Sequence, residues 1–67
     1  MSAVQAALRE IRSQLGLTQS QAAECCGVSQ PTWAQWESGA RGLSCDRLER
    51  IAEALGCELR VALVRRR

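Results

Sequence analysis

Two glutamines, Gln30 and Gln35, carry the side chains in this sequence that are best suited to reading another molecule. A glutamine amide donates and accepts hydrogen bonds at the same time, which matches the edge of adenine in the DNA major groove. Pro31 and Ala34 lie close by in the chain and offer apolar contact to a thymine methyl group. The sequence therefore predicts that these four residues contact DNA bases.

A helix over residues 30–38 would bring these side chains together. At about 100° per residue, its small or amide-bearing, uncharged side comprises Gln30, Pro31, Ala34, Gln35 and Ser38. The opposite side carries Thr32, Trp33, Trp36 and Glu37, and its two tryptophans can anchor a core. Ser29 or Gln30 caps this helix, and Pro31 fits its first turn. A surface helix without a ligand would show the same pattern, so the two faces alone leave both interpretations open.

The preceding segment predicts a second short helix packed against the first. Thr18 and Gln21 have the spacing of a capping box, which satisfies amide groups where a helix begins. Compact alanines and cysteines follow as far as Gly27, which can close the helix in the left-handed conformation. The pattern is that of two helices joined by a glycine turn.

Two further helices flank this pair. The first covers Ser2 to Leu15, with Ser2 as a candidate cap, and its apolar stripe comprises Val4, Leu8, Ile11 and Leu15. The last begins after the cap residue Ser44, stops at Gly56, and has a buried face made of Leu48, Ile51, Ala52 and Leu55. We therefore predict a mainly α, four-helix domain over residues 1–56.

The chain beyond Gly56 follows a different period. Cys57, Leu59, Val61 and Leu63 alternate with other residues, which is typical of a strand. A lone strand is unstable, so the natural partner is the same segment of a second copy. Leu59, Val61 and Leu63 are the predicted dimer interface, and residues 57–67 form the dimerisation strand and an arginine tail. A fifth short helix is the alternative, because short apolar runs fit both periods.

A resemblance to a known family covers the stretch TQSQAAECCGVSQPTWAQWESGARGLS. It is similar to the helix-turn-helix of the lambdoid phage repressor and Cro family, also called Xre-type regulators. The shared features are a Thr-Gln opening, an alanine in the helix-packing pair, Gly-Val-Ser at the turn and Trp-Glu-Ser-Gly at the end. In that family the second helix lies in the major groove and the first crosses the backbone.

The resemblance also implies roles for single residues. Gln19 and Ser38 would bind DNA phosphate, as would Thr32 and Arg41, and Arg12 would form a structural ion pair with Glu37. The C-terminal strand resembles the subset of antitoxin-like members that dimerise through such a segment, whereas most members have a further helix there.

Metal and enzyme chemistry are poorly represented. The chain has four cysteines and no histidine, and the cysteines lack the paired spacing of a zinc site. Cys25 is the expected exposed thiol, and by resemblance Cys26, Cys45 and Cys57 take positions of buried aliphatic residues. Without histidine, tyrosine or a glycine-rich phosphate loop, general acid, base and nucleophile candidates are few. We expect no enzyme activity, no cofactor and no metal.

Charge and composition limit the remaining classes. Nine basic and seven acidic residues give a net charge of +2, which is low for a binder that holds DNA regardless of its sequence. The arginine tail, residues 65–67, would contact phosphate or remain solvated. No apolar run approaches a membrane span, and the N-terminus does not have the pattern of a signal peptide. We expect a cytoplasmic protein that associates with the nucleoid when bound.

These observations predict a homodimeric transcriptional repressor that binds an inverted repeat, its two recognition helices roughly 34 Å apart. Its target would be a promoter, such as that of its own phage or mobile-element operon, including operons of the anti-CRISPR type. The alternative is the antitoxin of a toxin-antitoxin pair, which binds a toxin protein as well as its operator. A structural, nucleoid-like binder is a third interpretation, and it would call for a more basic surface.

Overall fold

Four helices make up the regular structure of the residues that the structure describes. The computed structural model describes residues 3–60 and 62–66, and its helices are α1 (Ala3–Gln14), α2 (Gln19–Cys25), α3 (Gln30–Ser38) and α4 (Cys45–Ala54). This confirms the prediction of a mainly α, four-helix domain. The candidate cap Ser2 lies outside the described residues. None of these helices is long and apolar enough to cross a lipid bilayer.

Local side-chain caps fix where three of the helices begin. The Thr18 hydroxyl accepts from the Gln21 amide N–H at 3.1 Å, and the Gln21 side chain accepts from the Thr18 N–H at 2.9 Å, which completes the capping box. Ser29, rather than Gln30, caps α3 through a bond from the Thr32 N–H, and Ser44 caps α4 in the same way. These bonds satisfy amide groups that a helix leaves without partners.

The core forms where α2 and α3 pack against each other, and α1 and α4 add residues to it. Trp33 is completely buried, and its ring meets Trp36 edge to face with centroids 5.9 Å apart. Ala22 and Ala23 of α2 are also buried, and their small side chains let the two helices approach closely. Leu8 of α1 and Ile51 of α4 close this cluster. α3, the candidate recognition helix, is therefore anchored in the core by the face that carries Trp33 and Trp36.

The C-terminal segment differs from the prediction. Residues 57–60 and 62–66 form neither a strand nor a helix, so the predicted β-strand is absent from the described part of this segment. A strand is stabilised by backbone bonds to a neighbour, and the chain described is a single copy. Leu59 is half-buried whereas Leu63 is 99% exposed, and Val61 lies outside the described residues. Pairing of this segment across a dimer stays a prediction.

The four cysteines are all free thiols in different surroundings. Cys25 is exposed, as predicted, and Cys26 and Cys57 are half-buried. Cys45 is exposed rather than buried, because it is the first residue of α4 and points away from the core cluster. Burial, together with the neighbouring Cys25 thiol, raises the pKa of Cys26. No three His, Cys, Asp or Glu side chains gather into a metal-binding group within the described ranges.

Candidate nucleic-acid interface

The outer face of α3 presents the residues that the sequence predicts as base contacts. Gln30, Pro31 and Gln35 are exposed, and Ala34 is half-buried between them. The opposite face of the same helix is buried, with Trp36 only 4% and Glu37 only 3% exposed. α3 is therefore a helix with one face fixed in the core and an uncharged, amide-bearing face open to a ligand.

A buried carboxylate at the end of α3 organises the back of this interface. Glu37 Oε1 accepts hydrogen bonds from Arg12 Nε at 2.6 Å and from Trp33 Nε1 at 2.8 Å. Its Oε2 accepts from Gln19 Nε2 at 2.8 Å and from Arg12 Nη2 at 3.4 Å. The donors come from α1, α2 and α3, so one side chain ties the three helices together.

The surroundings of Glu37 hold it in the ionised form. Burial by itself would raise the pKa of this carboxyl group. Hydrogen bonds from Arg12, Gln19 and Trp33, together with the positive charge of Arg12, outweigh burial and lower its pKa. Arg12 is further fixed by donating from Nη1 to the Leu17 carbonyl oxygen at 3.1 Å, so the ion pair also holds the loop before α2.

The Gln19 side chain links the buried Glu37 carboxylate to the exposed face of α3 by two hydrogen bonds. A carboxylate only accepts hydrogen bonds, so Gln19 must turn its Nε2 toward Glu37, and its Oε1 then faces the other way. That Oε1 accepts from Gln30 Nε2 at 2.9 Å. Gln30 is therefore held through one of its N–H groups, and its own Oε1 and second N–H remain for a ligand. This is the donor and acceptor pair that an adenine edge requires.

The second glutamine of the face is held from the other side of its amide. Arg41 Nε donates to Gln35 Oε1 at 3.1 Å, and the Arg41 backbone N–H donates to the Gln35 carbonyl oxygen at 3.2 Å. Arg41 follows Gly39, whose left-handed φ of 84° turns the chain back toward α3. The structure thus brings the predicted phosphate contact Arg41 and the predicted base contact Gln35 together.

The two predicted hydroxyl contacts lie at opposite ends of α3. Thr32 is half-buried, and its Oγ1 lies 2.9 Å from the Ser29 Oγ. Ser38 is exposed, donates to the Gln35 carbonyl oxygen at 3.2 Å and accepts from the Ala40 N–H at 3.3 Å. Both hydroxyls form hydrogen bonds at the ends of the helix.

Charge is sparse on this face. Between Cys25 and Ser44 the sequence has one acid, the buried Glu37, and one base, Arg41. Arg47, on the first turns of α4, lies with its guanidinium carbon 5.8 Å from the Trp36 ring centroid. A neutral face does not repel phosphates, and the attraction that a polyanion needs must come from the arginines around it.

Two links in this site were missed by sequence reasoning. The Gln19–Gln30 bond joins residues eleven positions apart on different helices, and the Arg41–Gln35 bond joins a loop to the helix before it. The two partners of each pair lie in different elements, so no periodic pattern within one helix or strand predicts these bonds. The nearest indication was that both pairs belong to one set of predicted DNA contacts.

Comparisons with known proteins give a family and a similar relative for this chain. The family model described as helix-turn-helix domain matches residues 6–65, which is most of the chain. The chain is also similar to the type II methyltransferase M.MspI of Moraxella sp., with 62% identity over 32 residues. That stretch is 48% of this chain and 8% of the methyltransferase, so the chain corresponds to a small part of that relative.

Proposed function

The chain belongs to the helix-turn-helix domain family, and on that premise we propose that it is a homodimeric, sequence-specific transcriptional repressor of the Xre/Cro type. Double-stranded DNA is its ligand, and α3 is its recognition helix. Methyl transfer is not part of the proposal, because the similarity covers only 8% of the methyltransferase. The proposed activity is binding, without catalysis or a cofactor.

The observation that carries the proposal is the exposed face of α3. Gln30 and Gln35 are both exposed, and each is oriented by a hydrogen bond from within the chain. Side chains ordered before binding lose less entropy when they meet a ligand. An uncharged helix face with two oriented amides and the apolar Pro31 and Ala34 fits the hydrogen-bonding edges and methyl groups of the major groove.

Phosphate contacts would flank this face. Gln19 donates one Nε2 hydrogen to Glu37, and its second hydrogen can donate to a phosphate oxygen. Thr32 and Arg41 supply a hydroxyl and a positive charge around the ends of α3. The Ser38 hydroxyl would contact phosphate by turning its hydrogen away from the Gln35 carbonyl oxygen. Contacts of this kind set the position of the helix in the groove, while base contacts provide the specificity.

The apolar surface of α1, α4 and the C-terminal segment supports a dimer. An apolar groove of about 450 Å³ runs between them, with Val4, Ile11, Leu48, Leu55 and Leu59 among its lining residues. Beside it Leu63 and Val64 are 99% and 89% exposed. Two neighbouring apolar side chains without cover are expected to pack against a second copy. The dimer would place two recognition helices on an inverted repeat.

Repression would follow from occupancy of a promoter. A dimer bound across an inverted repeat excludes polymerase from the same DNA, and the promoter of its own operon in a phage or mobile element is the proposed target. The operon could be of the anti-CRISPR type. The bound protein would be associated with the nucleoid.

The test is fluorescence anisotropy with the DNA upstream of the protein's own gene, beside a shuffled duplex of equal composition at the same near-physiological salt. Affinity at least about 1000-fold tighter for the native duplex would establish a specific autoregulator. Equal, weak binding to both would contradict autoregulation. A toxin-sized reading frame next to the gene would then favour the antitoxin interpretation, with a toxin protein as the partner.

A further inference from the structure

We infer that Arg41 determines which base Gln35 reads, because it holds the Gln35 side-chain amide in one orientation. The inference rests on the DNA-binding function proposed above and adds to it a residue that sets specificity without itself touching a base.

The orientation follows from the chemistry of the two groups. An arginine guanidinium carries N–H donors and no acceptor, so the Gln35 atom that faces Arg41 Nε must be the amide oxygen. The distance between Nε and Oε1 is 3.1 Å, within the range of an ordinary hydrogen bond. The NH2 group is the other branch of the planar amide, and because Gln35 is exposed it is accessible to a ligand.

The loop that carries Arg41 is fixed to the same residue by its backbone. The Arg41 N–H donates to the Gln35 carbonyl oxygen at 3.2 Å, and the Ser38 hydroxyl donates to that oxygen at the same distance. Gly39 makes the turn possible with its left-handed φ, and a Cβ there would collide with the Gln5 side-chain amide of α1. The backbone turn at Gly39 and these hydrogen bonds thus fix the position of Arg41 beside Gln35.

An amide held in this way presents hydrogen-bond donors to the major groove. Guanine offers two adjacent acceptors there, O6 and N7, and thymine offers O4, whereas cytosine presents the N4 donor. Adenine pairs fully with a glutamine when the amide oxygen also accepts from its N6 group. Here Arg41 occupies one of the two lone pairs of that oxygen, so the adenine N6 group must reach the other lone pair beside a guanidinium that is itself a donor. Gln35 is therefore expected to favour guanine, then thymine, and to disfavour cytosine.

Gln30 differs from Gln35 in which end of its side-chain amide is held. Its Nε2 donates to Gln19 Oε1, which leaves the Gln30 amide oxygen and one N–H for a ligand. The two glutamines of one helix face are thus held through opposite ends of their amides, and they suit different bases. Two glutamines held in different orientations thus allow the helix to recognise two different bases.

Arg41 can act in this way and contact phosphate as well. The bond to Gln35 uses Nε, and the terminal nitrogens Nη1 and Nη2 lie outside that bond. The guanidinium fork presents its donors in different directions, so one arginine can hold an amide and a phosphate together. Removal of Arg41 should then have two separable effects, a loss of affinity on every DNA and a loss of preference at one base pair.

The experiment is selection from a randomised duplex library at fixed salt, followed by sequencing, with the full chain and four variants: Arg41→Met, Gln35→Ala, the double variant, and Arg50→Met as a control. Arg50 is an exposed arginine of α4, so its loss removes the same charge at a distance from Gln35. The wild type should show a preference of roughly tenfold for guanine at one position of each half-site, in the range of a single base contact. Arg41→Met should abolish the base preference at that position and leave the preferences at other positions unchanged. Arg50→Met should leave the preference at that position intact. In the double variant, Arg41→Met should cause no further loss of preference there beyond that of Gln35→Ala.

An unchanged preference in Arg41→Met, with specific binding retained, would overturn the inference and leave the proposed function standing. A wild type that selects no sequence would overturn both. A measurement without DNA tests the contact itself: the NMR signal of the Arg41 Nε–H should shift in Gln35→Ala and stay in place in the exposed-glutamine control Gln14→Ala. If the chemical shift of the Arg41 Nε–H does not change in Gln35→Ala, the inference is overturned whatever the DNA result.

Discussion

Gln19 Nε2 lies 2.8 Å from Glu37 Oε2 and donates a hydrogen bond to it, so a buried carboxylate of α3 orients an amide at the first residue of α2. The oxygen of that amide, Gln19 Oε1, accepts a hydrogen bond from Gln30 Nε2 on the exposed face. Two hydrogen bonds through one side chain, that of Gln19, thus connect the structural ion pair of Arg12 and Glu37 to the proposed base contact Gln30. Stability and recognition therefore share one network in this domain.

Loss of the Glu37 carboxylate should be costly. Glu37→Ala leaves the half-buried Arg12 charge and the buried Trp33 N–H without their acceptor, and we expect it to lower the free energy of unfolding by about 3–5 kcal/mol. Urea unfolding followed by tryptophan fluorescence measures this. Glu10→Ala is the matched control, because Glu10 is exposed and accepts a hydrogen bond from the exposed Gln14 one turn away. Its cost should stay within about 0.5 kcal/mol. Equal losses in both variants would contradict the role given to Glu37.

The same carboxylate should make stability depend on acid pH. Its pKa in the folded chain is lowered from the ordinary value of 4.5, so the ionised form contributes its full stabilisation above that value. The contribution is lost as pH falls through the lower, folded pKa, since the unfolded chain binds the proton first. The free energy of unfolding should thus fall as pH is lowered below about 4.5, and the fall should be shallower in Glu37→Gln. Identical pH profiles for the two proteins would show that other carboxyl groups cause the acid dependence.

How far the sequence predicts this fold depends on how local each feature is. Thr18 and Ser44 were predicted as caps because a cap is decided by neighbours three residues away, and both are confirmed. The choice between Ser29 and Gln30 was not decided by pattern, and the structure selects Ser29 through its bond from the Thr32 N–H.

Features that depend on distant parts of the chain were harder to predict. Cys45 was expected in the core by resemblance, but its place as the first residue of α4 exposes it. The segment after Gly56 alternates like a strand, and its described residues form none, because pairing requires a neighbouring strand that local pattern cannot supply. The orientation of Gln30 and Gln35 arises from tertiary contacts and has no counterpart in the sequence pattern.

Base readout by α3 predicts a specific loss on substitution. Gln35→Ala should weaken binding to the selected DNA site by about 1–3 kcal/mol and change binding to unrelated duplexes little. Gln14→Ala is the matched control, since Gln14 is an exposed glutamine on α1. Anisotropy titrations at one salt concentration compare the variants. A loss of equal size on every duplex would remove Gln35 from base readout and assign it to phosphate contact.

The proposed dimer predicts an effect of an exposed apolar residue. Leu63 is 99% exposed in the single chain, so Leu63→Asp should leave the free energy of unfolding of the monomer unchanged within about 0.5 kcal/mol. It should weaken dimerisation by at least about tenfold, because an unpaired carboxylate would be buried in an apolar contact. Sedimentation velocity over a concentration series measures the equilibrium. Ala6→Asp adds the same charge on the exposed surface of α1 and should leave the dimer intact. A dimer that tolerates Leu63→Asp would place the interface elsewhere.

The central claim is that this domain recognises a DNA sequence through α3, and the most direct measurement is selection of the purified full chain on a randomised duplex library. We predict enrichment of an inverted repeat whose half-site centres lie about 10–10.5 base pairs apart or a multiple of that spacing. The enriched half-site should change when Gln30 or Gln35 is replaced by alanine. A library that returns without any enriched sequence, at salt concentrations where the protein still binds DNA, would contradict the claim.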